Sequence, residues 1–316
     1  MKSLFRYLPV VLLIALLLPS CKTKNSIAKK GSANTYEGVA DALLWKIEGK
    51  KLAQPSYLYG TIHIIDSEDY FLPSGTLAAM DNTDKMMFEI DMNEMSDMSN
   101  MMGVMMKAFM KDGLSLKDLI TAADYELVNA HFQKMGLPLA MLERIKPMFL
   151  SAFAYGDMDP NSLQSGEMKS YEMEFFEMAQ SAGKPVGGLE TIDFQMGLFD
   201  SIPYKAQAEM LVETIKKADT SSDEFDKMTQ MYTSQQISAM VAMIGDEDEQ
   251  LSEHEDLLLG MRNRNWIPVM GEQMIAQPTF FAVGAGHLAG PQGVIHLLRQ
   301  AGYTVSPISN KEVKKG

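Results

Sequence analysis

Residues 279–287 read Thr-Phe-Phe-Ala-Val-Gly-Ala-Gly-His, an apolar run that passes through a glycine-containing turn to a histidine. Residues 57–63 follow the same plan, as Tyr-Leu-Tyr-Gly-Thr-Ile-His. Short continuous apolar runs favour buried strands, and glycine permits a tight turn after them. Both stretches therefore predict a strand that delivers a histidine at its carboxyl end, within a Gly-x-x-His motif.

A helix and a second strand are predicted after each motif. The first motif precedes a helical pattern at residues 77–80 and an apolar run at residues 86–90. After the second motif, Pro291 marks the start of a helix, Gly302 marks its end, and residues 303–305 form a closing strand. Buried strands joined through helices are typical of a parallel sheet with both faces covered. We therefore predict an α/β fold, with a largely parallel sheet built from two related strand–Gly-x-x-His–helix–strand units.

The segment between the two units predicts a large helical insertion. Its apolar residues recur with the period of 3.6 that favours amphipathic helices. This pattern breaks at residues 185–190, Pro-Val-Gly-Gly-Leu-Glu, which we predict to be a third strand. The predicted helices cover residues 127–135, 171–182, 205–218, 224–244 and 252–274. Together with the two units they form one predicted domain at residues 39–309, followed by a disordered tail at residues 310–316.

The amino terminus has the pattern of an export signal. A basic start precedes an apolar run at residues 10–18, which is too short to span a bilayer, and the lone cysteine, Cys21, follows Leu-Pro-Ser. This order looks like a bacterial lipobox, so we predict a lipoprotein signal peptide at residues 1–20, lipidation of Cys21 and a flexible tether at residues 21–38. The predicted location is the cell envelope, with lipid chains in a bacterial membrane and the outer membrane preferred. An ordinary signal peptide with an incidental thiol is the alternative.

Composition excludes several functional classes. The chain of 316 residues has one cysteine, which rules out a disulfide framework and a multi-cysteine metal site. Its formal charge of −13 argues against nucleic-acid binding, because such binding needs basic surface to displace counterions. We therefore expect no nucleic acid among the partners.

Methionine is unusually frequent, with 28 residues in the chain. Five of them recur at helical spacing: Met95, Met98, Met102, Met105 and Met106. The simplest interpretation is a helix whose apolar face happens to use methionine. A soft groove for apolar peptides and a thioether copper site are the alternatives.

Two histidines and three charged residues form the candidate site. Ligands of open α/β sheets bind outside the carboxyl ends of the strands, so His63 and His287 are predicted to converge there. Glu89 lies within an apolar strand, where a carboxylate is costly unless it is paired or binds a metal. Glu190 ends the predicted third strand. Arg262 lies on a predicted helix, from which it could clamp a carboxylate or stabilise an oxyanion.

Several motifs resemble the TraB/PrgY/GumN family, which includes the Tiki proteases. In chain order they are Leu44-Trp45-Lys46-Ile47 and residues 59–63, 88–91, 182–191, 262–266, 283–290 and 302–305. The resemblance covers residues 42–308, and the order and spacing of the motifs match as well as the residue types. One departure is Ser170-Tyr171-Glu172, where family members often read Gly-Ile-Asp. Because the backbone before this acid differs, Glu172 is left out of the candidate site.

The resemblance implies an α/β core built from a duplicated unit, with both Gly-x-x-His motifs at the active centre. For Tiki-like members it also implies metal-dependent peptide hydrolysis with manganese- or cobalt-type activation. By motif match, His63 and His287 take the paired histidine role. Glu89 and Glu190 take the acidic role, and Arg262 takes the basic role.

Our leading hypothesis is a metal-dependent hydrolase, and more narrowly a peptidase, that acts on a peptide or protein substrate. His63, His287 and Glu89 are expected to hold one divalent ion of the manganese, cobalt or zinc type, which lowers the pKa of its bound water. Glu190 is expected to act as general base, and Arg262 to steady an oxyanion or a substrate carboxylate. The sequence does not separate ligand from base among the two glutamates. The alternatives are a metal-independent esterase with a histidine base and a non-catalytic module that binds a peptide or signal.

Overall fold

The structure, a computed structural model, describes residues 36, 38–94, 98–154, 162–218, 222–246 and 254–308. The predicted signal peptide, Cys21 and nearly all of the predicted tether lie outside the described residues, as does the predicted tail. Within the described ranges, no helix has both the length and the apolar character needed to cross a membrane.

A six-stranded sheet organises the domain. The strands of the described residues are β1 (Leu44–Glu48), β2 (Ser56–Thr61), β3 (Ile65–Asp66), β4 (Lys85–Ile90), β5 (Met168–Lys169), β6 (Val186–Glu190), β7 (Thr279–Gly284) and β8 (Thr304–Pro307). The central sheet has the order β6-β4-β7-β2-β1-β8, and β3 pairs with β5 in a separate antiparallel ribbon. β1 is antiparallel to β2 and β8, whereas the pairs β2–β7, β7–β4 and β4–β6 are parallel. The predicted α/β class with a mostly parallel sheet is therefore confirmed.

The two strands that lead to the histidines are direct neighbours. β2 and β7 pair in parallel, with Tyr59 opposite Ala282 and Thr61 opposite Gly284. Every residue of both strands is buried, which is why both read as continuous apolar runs. Because parallel neighbours end at the same edge of a sheet, the two Gly-x-x-His motifs begin side by side.

The two segments that follow the motifs return to the sheet in different ways. The first crosses from β2 to β4, which lies on the far side of β7. The second crosses from β7 to β8, past β2 and β1, to the edge of the sheet. The strands predicted at residues 86–90 and 303–305 are thus present, but they occupy unequal positions.

Most of the chain between β4 and β7 is helical, as predicted. The helices of the described residues are α1 (Thr76–Asp81), α2 (Met98–Ala108), α3 (Ala122–Lys134), α4 (Leu139–Leu142), α5 (Pro147–Ala154), α6 (Ser162–Ser165), α7 (Tyr171–Ser181), α8 (Ile192–Leu198), α9 (Tyr204–Ala218), α10 (Ser222–Thr233), α11 (Ile237–Asp246), α12 (Met261–Ala276) and α13 (Val294–Gln300). The main core follows the sheet. Helices α3, α5 and α9 enclose a second apolar cluster, which includes Val128, Leu150 and Leu211.

Two of the predicted helices differ from the observed ones. The helix predicted at residues 224–244 is two helices, α10 and α11, because Gln235 adopts a left-handed conformation (φ 59°) between them. The helix predicted at residues 252–274 contains a π-helical turn at Asp256–Gly260 directly before α12. Such turns are frequent at functional sites, and this one precedes Arg262.

The last helix begins later than predicted. Pro291 lies in a turn, and α13 begins at Val294. A Cβ on Gly293 would lie 2.2 Å from the carbonyl oxygen of Ala289. The turn after the second motif therefore closes too tightly for any side chain at this position.

The methionine-rich helix, α2, exposes some of the methionines that recur at helical spacing. α2 buries Val104, whereas Met102 and Met106 are 58% and 68% exposed. Met95 lies outside the described residues. Met102 and Met106 therefore lie at the surface.

Candidate active site

Five polar side chains meet at the carboxyl edge of the parallel strands. His63 follows β2, His287 follows β7, Glu89 lies in β4 and Glu190 ends β6. Arg262, in the first turn of α12, reaches both glutamates from the helix side. The structure thus brings together all the polar site residues predicted from the sequence, at the edge where α/β sheets bind ligands.

Arg262 is the centre of this network and does not reach solvent. Its Nη2 donates to Oε2 of Glu89 and to Oε1 of Glu190, each at 2.6 Å, and its Nε donates to the same oxygen of Glu190 at 2.9 Å. Its Nη1 donates to the carbonyl oxygen of Leu258 and to Nε2 of His287, both at 3.1 Å. A guanidinium has five N–H groups, so its hydrogen-bonding capacity is filled inside the protein. In this arrangement Arg262 has no donor left for a substrate oxyanion.

Glu89 is held in its ionised form. Its Oε1 accepts the backbone N–H of Gly284 at 2.8 Å, while Arg262 binds its other oxygen. Burial by itself raises the pKa of Glu89, but the charge of Arg262, with smaller contributions from the two imidazoles and this N–H, lowers it to about 2. Glu89 is therefore a fixed negative charge at neutral pH.

Glu190 binds the same arginine, but its pKa is shifted in the opposite direction. Its Oε2 accepts Nε1–H of Trp266 at 2.9 Å. Burial raises the pKa of Glu190, and the charge of Arg262 offsets this only in part. Two carboxylates on one guanidinium thus have pKa values pushed in opposite directions, an arrangement suited to one fixed charge and one proton carrier.

His63 is paired with an acid that the sequence pattern left out. Its Nδ1 lies 3.0 Å from Oε1 of Glu172, which also accepts the hydroxyl of Thr61 at 2.6 Å. Oε2 of Glu172 accepts the hydroxyl of Ser170 at 3.1 Å. Burial lowers the pKa of His63, but the charge and hydrogen bond of Glu172 outweigh this and raise it. His63 is therefore the more basic of the two imidazoles.

His287 has a neutral partner instead. Its Nδ1 lies 2.6 Å from Oδ1 of Asn263, whose Nδ2 donates to the carbonyl oxygen of Gln292 at 2.8 Å. That second bond assigns the amide orientation, so Nδ1 of His287 carries the hydrogen and Nε2 carries the lone pair. Burial, aided by the charge of Arg262, lowers the pKa of His287 to about 3. The ring is neutral, with its lone pair directed into the network.

Three residues join the site that were absent from the predicted set. Glu172 follows the N-cap Ser170 in the first turn of α7, which is a local signal for an acid but not for its contact with His63. Asn263 is the neighbour of Arg262 in the sequence, and Gln195 contacts both Glu89 and Glu190. These contacts depend on the packing of distant helices, which no local pattern shows.

The three predicted metal ligands converge beside Gly284. A Cβ on Gly284 would lie 3.2 Å from Oε1 of Glu89, 3.6 Å from Cδ2 of His287 and 3.8 Å from Cε1 of His63. Nε2 of His287 and Oε1 of Glu89 are 3.7 Å apart, near the separation of about 3.4 Å expected for two ligands of one tetrahedral ion. Two imidazoles and a carboxylate are a common donor set of metal hydrolases. The donors therefore fit a divalent ion in kind.

Arg262 would compete with an ion for Nε2 of His287. Within the described residues, no group of three or more histidine, cysteine, aspartate or glutamate side chains could hold a metal ion as they stand. Nε2 of His287 accepts its hydrogen bond from Arg262, so an ion on this nitrogen would replace that bond. Metal binding at this site thus requires a local rearrangement of the guanidinium.

Comparison with known proteins gives a family match and two distant relatives. The model of the TraB/PrgY/gumN family matches residues 43–307. Metalloprotease TIKI2 of Danio rerio is 21% identical over 324 residues, covering 84% of this chain and 60% of that protein. Metalloprotease TIKI1 of Danio rerio is 22% identical over 330 residues, covering 86% and 64%. The chain spans less than two thirds of the length of these relatives, and no solved structure matches it.

Proposed function

The chain belongs to the TraB/PrgY/gumN family, and from its buried site we propose that it is a metal-dependent hydrolase of peptide bonds. The observation that carries the proposal is the pairing of β2 and β7, which delivers His63 and His287 beside Glu89. The distant relatives are named metalloproteases, which supports the reaction class. The relation of the two Gly-x-x-His segments as copies of one unit is part of the same proposal.

His63, His287 and Glu89 would hold the divalent ion, of the manganese, cobalt or zinc type. When bound, such an ion supplies a Lewis acid and an acidified water. Each imidazole is fixed through its Nδ1, by Glu172 on one side and by Asn263 on the other. This outer hydrogen bond is the usual support of a metal-ligating histidine, and it directs both Nε2 atoms to the ion, which on His287 would replace the hydrogen bond from Arg262.

The remaining groups hold charge and move a proton. Glu190 is the general base in this proposal, because its pKa is raised and Trp266 fixes one of its oxygens. Arg262 positions the two carboxylates, since its Nε and Nη2 donors bind them. We assign it this role in place of direct contact with an oxyanion.

A metal-independent hydrolase is the second candidate. The His63–Glu172 pair favours it, because an imidazole oriented by a carboxylate can serve as a general base without an ion. Metal content of the purified protein discriminates between the two: stoichiometric metal supports the first candidate, and full activity after chelation supports the second.

Location completes the proposal. The charged start, short apolar run and Cys21 support export and anchorage through lipid chains on that cysteine. The substrate is then a peptide or protein within reach of the membrane surface.

The test is incubation of the purified protein with a peptide pool, with and without Mn²⁺, followed by mass spectrometry for new termini. We expect new termini that depend on Mn²⁺ and that His63→Ala abolishes. His296→Ala is the matched control, because His296 contacts Tyr36 and Gln300 away from the site. Peptides retained by the protein but never cut would contradict catalysis and support a binding module.

A further inference from the structure

The side chain of Gln195 lies between the two glutamates and does not reach solvent. It belongs to α8, which begins directly beyond Glu190 with Thr191 as its cap. Its Nε2 lies 3.3 Å from Oε2 of Glu89 and 3.3 Å from Oε1 of Glu190. Its Oε1 is buried and has no hydrogen-bond partner among the residues that the structure describes.

The orientation of this amide follows from its neighbours. Ionised carboxylates only accept hydrogen bonds, so the NH2 group of Gln195 must face Glu89 and Glu190. The reversed amide would place three oxygens together with no hydrogen between them. The unpaired atom is therefore the oxygen, and it is an acceptor.

A buried acceptor without a donor is unfavourable, and native structures contain few of them. An unbranched apolar side chain of similar length would fill the same place without this cost. The chain uses methionine freely, with 28 residues. A glutamine at this position is explained if its oxygen receives a hydrogen from a bound molecule.

We propose that Oε1 of Gln195 accepts the N–H of the scissile amide, which makes Gln195 a substrate-recognition residue for peptide bonds. The inference rests on the proposed function and narrows its substrate class. The Nε2 group of the carboxamide contacts Glu89, the proposed ligand, and Glu190, the proposed base, so Gln195 belongs to the same buried network as these two residues.

An ester should be a poorer partner for the same oxygen. It carries an oxygen where the peptide carries N–H, so it would leave Gln195 unpaired and place two acceptors against each other. Sites built to hydrogen-bond a substrate N–H discriminate strongly against analogues that lack it. The structure therefore favours amide over ester substrates.

The test compares one peptide with its depsipeptide twin, in which the scissile N–H is replaced by oxygen. The peptide is the one cut fastest in the pool experiment or, if none is cut, the one retained best by the immobilised protein. Gln195→Met is expected to lower the peptide-to-depsipeptide ratio of kcat/KM about tenfold, the value of one hydrogen bond. The matched control, Gln273→Met, should leave the ratio unchanged, because Gln273 binds Lys85 at the start of β4.

An equal loss on both substrates would overturn the assignment, since Gln195 would then only bridge the glutamates. If circular dichroism shows that Gln195→Met is unfolded, Gln195→Asn replaces it in the test. The same decrease in the peptide-to-depsipeptide ratio of kcat/KM is expected, because the asparagine side chain is one methylene shorter and its oxygen lies farther from the substrate. Absence of any cleavage contradicts the hydrolase, and the role of Gln195 is then tested by calorimetry. A lower Kd for the peptide than for the depsipeptide supports the role if Gln195→Met removes this difference. Equal Kd values for the two molecules refute it. Failure to cut or retain any peptide contradicts both proposals.

Discussion

Nη2 of Arg262 lies 2.6 Å from Oε2 of Glu89, and both side chains are closed off from solvent. A buried ion pair is costly to break on one side only, because the remaining charge has no water to stabilise it. The same guanidinium also binds Glu190. Arg262 thus stabilises the folded state at this edge of the sheet.

Replacement of Arg262 by Met should therefore destabilise the protein strongly. Two buried carboxylates lose their counter-charge, and the expected cost is about 3–5 kcal/mol in the free energy of unfolding. Urea denaturation measures it. Arg264→Met is the control: the Arg264–Asp256 pair is exposed and should contribute less than about 1 kcal/mol. Equal effects of the two substitutions would contradict the central position of Arg262.

The two glutamates should separate into different roles. Glu190→Gln is expected to keep the metal and lose turnover, because it preserves shape and removes the proposed base. Glu89→Gln should lose the metal, since Glu89 provides the fixed charge. Metal stoichiometry and hydrolysis rate are measured for both. Loss of metal in Glu190→Gln with retention in Glu89→Gln would exchange the two assignments.

Acid should destabilise the metal-free protein through His287. The pKa of His287 in the folded protein, about 3, lies below the ordinary value of 6.5. Between these two pH values, the ring is therefore protonated in the unfolded chain but not in the folded one. Stability from this group is complete above pH 6.5 and falls as the pH drops toward 3. Between pH 7.5 and pH 5 the loss should be about 2 kcal/mol. His287→Gln, in EDTA-treated protein, should lack this part of the loss, and an unchanged pH dependence of unfolding would contradict a neutral, buried ring.

Anchorage can be tested apart from catalysis. Cys21→Ser should leave the precursor unlipidated and move the mature protein out of the detergent phase in a phase-partition assay. Intact mass of the wild type should include acyl chains. Unchanged partitioning, together with a wild-type mass that lacks acyl chains, would refute the predicted anchor.

Strands buried on both faces were the features most open to prediction from sequence. β2 and β7 read as unbroken apolar runs because their side chains meet core on both sides, and the Gly-x-x-His motifs mark where they end. β1 contains two half-buried charged residues, Lys46 and Glu48, so periodicity did not single it out. The convergence of His63 and His287 followed from the rule for parallel sheets and needed no knowledge of the helices.

Contacts made across distant helices were beyond the reach of local patterns. The pairing of Glu172 with His63 joins positions far apart in the chain, and a glutamate in a first helical turn looks the same with or without such a partner. The break between α10 and α11 at Gln235 contains no glycine or proline, so no signal in the sequence indicates it. The role of Arg262 was read from its charge, whereas its hydrogen bonds show that this charge is used within the protein.

The central claim is that His63 and His287 hold one divalent ion together. Titration of metal-free protein with Co²⁺, followed by visible absorption, tests it most directly, because the cobalt bands report coordination without any substrate. We predict that the wild type binds one Co²⁺ per chain, that His63→Ala and His287→Ala each lose it, and that His296→Ala retains it. The double histidine variant should bind Co²⁺ hardly more weakly than either single variant, since the two ligands act as a unit. Absence of binding by the wild type, or full binding by both single histidine variants, would contradict the claim.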